Sequence, residues 1–549
     1  MSGDAAGRPE RPLKHWGWGY ADQQRPDREV EEAAAGIRAM FGFAGEARPA
    51  VPLDRVELRE PRLKAPDGGS LFSAGRHDRA VHALGKAYRD IVRGHRGEFP
   101  NPPDLVAFPA DEAEVGEVLE RAADWNAAVI PFGGGTSVCG GVEPRVADAD
   151  RPVISLDLTR LDRVLEIEET SLTARIQGGV RGPALEDQLR ARGMTLRHYP
   201  QSFEYATLGG WLATRAGGHF ATGETHIDDL TQSIRALTPR GEWESRRLPG
   251  SGAGPSPDRL LLGSEGILGV ITEAWMRIRP KPVFKANATV EFPDFVKAAT
   301  GAVREIVQAR LGPSNCRLID PLEAQMMGAG DGSATLLLLG FESADVPVGV
   351  LLDQAVGIAE AHGGRVTGRK LVEPSTAEDG PPGESQSDRW KDAFLMAPYF
   401  RDTLVSCGVL SETFETAIPW DRFAGFHAAV IDATTRAVAE VGGAPVEGEG
   451  APRVSCRLTH VYPDGAAPYF TVIAPAVRGG EVEQWDEIKA AASQAIIDHG
   501  GTITHHHAVG RDHRPWYDQQ RPGLFAAALK GAKAEVDPQG MLNPGVLIG

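Results

Sequence analysis

The apolar positions of this chain change rhythm several times, and each change marks an element. From Asp111 onward, Val115, Val118, Leu119, Ala122 and Trp125 recur with the 3.6-residue period of an amphipathic helix. Asp111 stands three residues before Glu114, the spacing of an N-terminal capping arrangement. Around that helix, short apolar runs read as strands at 104–109, 128–132, 153–158, 164–168 and 172–177, and a second helix is expected over 183–192. Short strands mixed with two helices predict an α+β unit over 101–282, closed by Pro280 and Pro282, and not a doubly wound sheet. Beyond it, residues 283–500 alternate strand-like runs (288–292, 335–341, 469–474) with long helical ones (295–310, 347–362, 423–441). That pattern suits an antiparallel sheet covered by helices, with Pro347 at a first helical position. Residues 1–100 form a Pro- and Arg-rich lead-in with an aromatic cluster, Trp16-Gly17-Trp18-Gly19-Tyr20, and a helix near 78–93. Residues 373–388 are rich in Pro, Gly, Ser and Glu and are expected to form a surface loop, and 501–549 make a C-terminal segment.

With 549 residues the chain exceeds what one core can serve, so two large units plus an extension are expected. The 58 basic and 75 acidic side chains leave a net charge of -17, which repels a phosphate backbone and argues against nucleic acid as a partner. It leaves room for a small anion in one local pocket of arginines and amides. Cys139, Cys316, Cys407 and Cys456 show no CxxC spacing, so neither a disulfide framework nor a thiolate zinc site is indicated. The opening residues contain no apolar secretory core, and the closing Leu547-Ile548-Gly549 is not a peroxisomal address. A cytoplasmic location is the resulting expectation.

The candidate chemistry begins with glycine. The strand at 128–132 runs into Gly133-Gly134-Gly135-Thr136-Ser137, where unsubstituted backbone allows close approach and consecutive amides suit a pyrophosphate. Val138 stands where a dinucleotide fingerprint of the Rossmann type needs its third glycine, so that motif is excluded. Alone, such a turn is most often just a turn. Two more small-residue stretches, TLGGWLAT at 207–214 and GSEGILGVIT at 263–272, raise its weight.

In order and spacing, PFGGGTSVCGGVE, ISLDLTRLDRVLEIEETSLTARIQGGV, TLGGWLAT and LLGSEGILGVITEAWMRIRP resemble the FAD-binding domain of the vanillyl-alcohol-oxidase superfamily. The resemblance implies a two-subdomain PCMH-type FAD-binding domain followed by a cap. It implies FAD contacts at Pro131, Phe132, Gly133, Gly134, Gly135, Thr136, Ser137, Gly140 and Gly141. Further implied contacts are Gln201, Ser202, Thr207, Gly209, Gly210, Thr214, Glu265, Gly269, Val270 and Ile271. No family-type histidine for a covalent flavin link is recognisable, so the FAD is expected to be non-covalent.

His505, His506 and His507 form a second constellation. On an extended segment adjacent side chains alternate, so at most two would face one site. A zinc site would need further ligands, with His513 the obvious nearby histidine, and a solvated polar run is the plainer reading. This motif resembles that of the alkyldihydroxyacetonephosphate synthase family. So do Trp16–Tyr20, His198 before Pro200, SNCRLID at 314–320, YFRD at 399–402, ETFET at 412–416 with PWD at 419–421, and SCRLT at 455–459.

That likeness implies an exchange without net redox change: acyl-dihydroxyacetone phosphate loses its fatty acid to a fatty alcohol by way of the flavin's N5 atom. It implies Tyr469 as the base, Arg317 and Arg401 as clamps for phosphate and carboxylate, and His198, His506 and His507 as groups that orient or protonate substrate oxygens. His505 is implied in substrate binding, the aromatic cluster in a lipid tunnel, and no metal is called for. A homodimer and transient membrane contact complete the expectation. The rival is a D-2-hydroxyacid dehydrogenase or oxidase, which carries Glu-His-Gly where this chain has His506-His507-Ala508. A non-catalytic flavin- or metal-binding protein is the third possibility.

Overall fold

The computed structural model describes residues 11–66, 70–218, 226–372, 399–443, 445, 448 and 450–549. The loop expected at 373–388 lies outside them. The first predicted helix forms as Glu112–Asp124, and the Asp111 carboxylate accepts the Glu114 N–H at 2.9 Å. The reciprocal bond goes one residue further back, from the Ala110 N–H to the Glu114 carboxylate at 2.7 Å.

Two small sheets build the first lobe. One is four-stranded, in the order Phe72–Ser73, Leu105–Ala107, Val153–Asp157, Ala128–Phe132, with its last three strands parallel. The other is a five-stranded antiparallel sheet in the order Val164–Glu168, Thr173–Gln177, Val270–Arg277, Thr231–Thr238, Gly241–Glu244. The chain end returns to the first sheet: the Val129 N–H donates to the Met541 carbonyl and the Asn543 N–H to the Val129 carbonyl, both at 2.8 Å. This covers the open edge of Ala128–Phe132, the strand that leads into the glycine turn.

The cap is a larger sheet with strand order Arg365–Val372, Phe284–Phe292, Thr335–Ser343, Asn315–Ile319, Arg453–Val461, Gly465–Pro475, Val409–Glu415. Every pair in it is antiparallel, as the alternating pattern predicted. One face carries Cys316, Leu318, Leu410, Phe414, Cys456, Leu458, Phe470 and Val472, packed with Phe423 and Phe426 of helix Trp420–Gly442 and Ile488 of helix Glu481–Asp498. Each such Leu or Phe contributes roughly 1.5–3 kcal/mol on burial, so this face is what holds the cap together. The opposite face presents Arg317, Ser411, Thr413, Arg457, Tyr469 and Thr471 to the site and forms one of its walls.

Three helix expectations need correction. The helix near 78–93 is two, Arg76–Val81 and Tyr88–His95, because the chain breaks at Gly85 to let the Lys86 N–H reach the Ser137 carbonyl at 2.6 Å. A side chain at Gly85 would strike that same carbonyl. The helix at 347–362 is Gly349–Ala361, capped by Val348, so Pro347 lies outside it. Val348 is buried in the cap core, which fixes the entry two residues later than proline alone suggests. The run 295–310 is helical through Phe295–Ala298 and Arg304–Gln308 but passes through a π-helical turn, Ala299–Val303, between them.

Candidate active site

The glycine turn, the polar face of the cap sheet and helix Asp27–Phe41 together enclose a cavity of about 680 Å³. Its lining is of mixed character. Three groups of residues line it: the loops around Gly133–Ser137, Thr207–Thr214 and Glu265–Ile271; the polar groups Arg317, Arg401, Arg457, Tyr469, His506 and His507; and the apolar Ile37, Met40, Phe41, Met326, Met327 and Leu404, of which Ile37, Phe41, Met326 and Leu404 pack in one cluster.

Glycine is required in the first group by close approach. Side chains at Gly133 and Gly134 would strike the Thr207 hydroxyl and the Tyr205 carbonyl, and Gly135 has φ +64°. Among the described residues, the N–H groups of Gly134, Gly135, Thr136 and Ser137 have no acceptor. Unsatisfied amides beside a cavity fit a bound pyrophosphate, since they otherwise carry the cost of unpaired backbone donors. Of the implied cofactor contacts, all line the cavity except Gly140 and Val270. Gly140 turns its carbonyl to Arg511, and Val270, adjacent to Ile271 on one strand, points into the opposite core. Glu265 does line it, while its carboxylate accepts the Val509 and Gly510 N–H groups at 2.9 and 2.8 Å and so pins the C-terminal segment. Burial pushes the Glu265 carboxyl up to about 7 against those two bonds.

In the polar group, strand register places the chemistry. Arg457 pairs with Tyr469 and Tyr469 with Glu415 across three neighbouring strands, so all three side chains share one face. Arg317 comes to the same face from the next strand, on the other side of Ile319's pairing with Arg457. The Arg457 guanidinium sits 3.8 Å from the centre of the Tyr469 ring and pairs with the fully buried Glu323. His506 stacks on Tyr469 at 6.2 Å and His507 meets it edge-on at 5.5 Å. Burial, and then the neighbouring Arg457 charge, push Arg317 down to about 9. Arg401 reaches the Thr413 hydroxyl at 3.2 Å and the Lys86 carbonyl at 3.4 Å.

Several implied residues are placed differently. The histidine segment is a turn, not an extended strand, and so the adjacent pair His506 and His507 both reach the cavity while His505 packs behind, against Tyr462 and His226. His198 does not line the cavity either. It is buried against Trp211, its Nε2 has no partner among the described residues, and burial pushes it down to about 3. The third imidazole near His505 and His506 is His460, with ring nitrogens of all three within 4.8 Å of one another, whereas His513 bonds to the Ala508 carbonyl. A bulge in strand Arg453–Val461 between Leu458 and His460 brings His460 into register with Ala467, on the cavity face. Arg457, Glu323, Glu415 and His460 were given no role by the sequence. Alternation within SCRLTH puts Arg457 and Thr459 on one face, but nothing in it announces the bulge.

Residues 103–245 match the FAD binding domain family, and residues 281–547 match the C-terminal domain of FAD linked oxidases. Fold, amide cradle and these matches define an FAD-dependent protein built as an FAD-binding lobe and an oxidase-type cap. The chain belongs to the alkyldihydroxyacetonephosphate synthase family. It is 30% identical to the Dictyostelium discoideum alkyldihydroxyacetonephosphate synthase over 530 residues, covering 92% of this chain and 84% of that one. Against the Caenorhabditis elegans synthase the identity is 32% over 495 residues, 87% and 81% of the two chains. A solved structure of an alkyldihydroxyacetonephosphate synthase superimposes with a TM-score of 0.78 at 25% identity, covering 97% of this chain and 98% of that one.

Proposed function

We propose that this chain exchanges the acyl group of acyl-dihydroxyacetone phosphate for a fatty alcohol. The observation that carries the reading is one cavity whose lining joins glycine loops, arginines and a tyrosine to a cluster of apolar side chains. An amphiphile with an anionic head and a long tail matches that combination of environments, and a small hydroxyacid leaves the apolar cluster unused. Bound FAD supplies the nucleophilic centre for the exchange. The residues of the chain do the rest. Arg317 and Arg401 hold phosphate and the departing carboxylate, where a planar guanidinium serves better than an ammonium. Tyr469 takes the proton beside the ketone, and His506 and His507 carry protons to and from the substrate oxygens. Ile37, Met40, Phe41, Met326, Met327 and Leu404 exclude water from the tail.

Transient contact with a bilayer belongs to the same proposal. Met40 and Phe400 line the cavity yet are 52% and 38% exposed, so the apolar lining meets the surface with its own apolar rim. Among the described residues no helix is long and apolar enough to cross a membrane. The test is incubation of the flavin-loaded protein with acyl-dihydroxyacetone phosphate and a fatty alcohol, followed by mass analysis. Alkyl-dihydroxyacetone phosphate and free fatty acid in equal amounts support the reading; free fatty acid without the ether product defeats it.

A further inference from the structure

Glu415 ends strand Val409–Glu415 directly opposite Tyr469, and its side chain is fully buried. The backbone N–H groups of His505, His506 and His507 all donate to its carboxylate, at 2.7, 3.1 and 2.9 Å, and the Thr504 hydroxyl donates to it as well, at 2.5 Å. Four donors from four consecutive residues thus converge on one acidic group. This explains why the histidines form a turn where alternation predicted an extended segment. The Nδ1 atoms of His506 and His507 also face this carboxylate, at 3.4 and 3.8 Å, and the His505 Nδ1 lies 3.0 Å from that of His506.

We propose that Glu415 is the positioning residue of this centre: it ties the histidine turn to the tyrosine strand and holds the Nδ1 edges of His506 and His507 toward itself, presenting their Nε2 edges to the cavity. The assignment rests on the reading that Tyr469, His506 and His507 handle the protons. A carboxylate behind an imidazole fixes which ring nitrogen carries hydrogen and favours the protonated ring when a proton is taken up. Burial alone would raise the Glu415 carboxyl, yet His506, His507, His505 and the Thr504 hydroxyl hold it well below the ordinary range. In turn burial lowers His506 and His507, and Glu415 is the group that opposes this in both. The other charges facing them act in the lowering direction: His226, Arg457 and Arg317 on His506, and His506, Lys489 and His513 on His507; the His505 and His460 rings also pack directly against His506.

Glu415→Gln keeps an acceptor for the backbone donors and removes the charge. In the holoenzyme labelled with ¹⁵N-histidine, the ring nitrogens of His506 and His507 are expected to titrate at lower pH than in the native protein. Turnover is expected to fall on the order of 10²-fold with KM changed only a few-fold and the flavin spectrum retained. Native turnover, or turnover lost while both titrations stay in place, overturns the assignment. Should the Gln variant not accumulate as a yellow protein, Glu415→Asp carries the test. It keeps the charge but lacks the reach, so turnover must fall while the rings still titrate near their native pH; native turnover in that variant overturns the proposal equally. The titrations are read without substrate. A native protein that performs no exchange therefore removes the proposed reaction, whereas unmoved titrations remove the role of Glu415.

Discussion

Tyr469 lies between a guanidinium and two imidazoles, the first from a neighbouring strand and the other two from the C-terminal histidine turn. Removing its hydroxyl takes away one proton-transferring group and leaves the ring that Arg457 and His506 pack against. Tyr469→Phe is therefore expected to bind FAD normally, keep its melting temperature within a few degrees, and lose turnover by about 10²–10⁴-fold. Turnover at the native level in a yellow Tyr469→Phe protein would remove the residue from the chemistry. Arg317, Arg401 and Tyr469, which line the cavity, were singled out through motifs shared with the synthase family; by themselves the arginines read as salt-bridge partners and the tyrosine as core. Arg457, Glu323 and Glu415 were not, since each is explained only by a neighbour from a remote strand. Arg457 is intelligible once Tyr469 lies beneath it and Glu323 beside it. His198, from a motif of the same family, stands one layer back: the fold packs it against Trp211 and behind Gly218, both of which line the cavity.

Among the elements, the strands Ala128–Phe132 and Val164–Glu168 coincide with their predicted limits, because apolar runs bounded by turn residues are local signals. The interrupted helix near Gly85 and the bulge before His460 escape the periodicity because both are dictated across space, by Ser137 and by the Gly465–Pro475 strand. The glycine turn that Gly85 helps to brace gives the next prediction. Gly134→Asp drives a side chain and a charge into the Tyr205 carbonyl, and the purified protein is expected to be colourless and to take up added FAD at least 10²-fold more weakly. Full flavin occupancy in that variant would contradict the cradle. Glu265, which joins the third glycine loop to the C-terminal segment, gives a pH dependence. Its carboxyl moves from an ordinary 4.5 to about 7 on folding, so the folded state holds the proton more tightly. The associated stability is present below pH 4.5 and is lost as pH rises through 7, by at most about 3 kcal/mol. Melting curves with saturating FAD should show the native protein losing stability relative to Glu265→Gln between pH 5 and 8. Parallel curves for the two proteins would contradict this.

For the molecule as a whole, a net charge of -17 encloses a site with four cavity-lining arginines, so the sign of the surface says little about the sign of the substrate. The two-lobed plan and the flavin loops were legible because they rest on glycine spacing and on alternation within single segments. The apolar cluster lining the cavity was not, since Ile37, Met326 and Leu404 come from three stretches with no shared pattern. That cluster separates a lipid exchange from the oxidation of a small D-2-hydroxyacid. The most direct measurement follows labelled fatty alcohol, flavin absorbance and dissolved oxygen together in one anaerobic-to-aerobic series. The expected result is label entering the ether product in the presence of acyl-dihydroxyacetone phosphate, with no oxygen consumed and with the flavin unbleached by D-lactate or D-2-hydroxyglutarate. Bleaching by either hydroxyacid, with no label incorporated, would contradict the account.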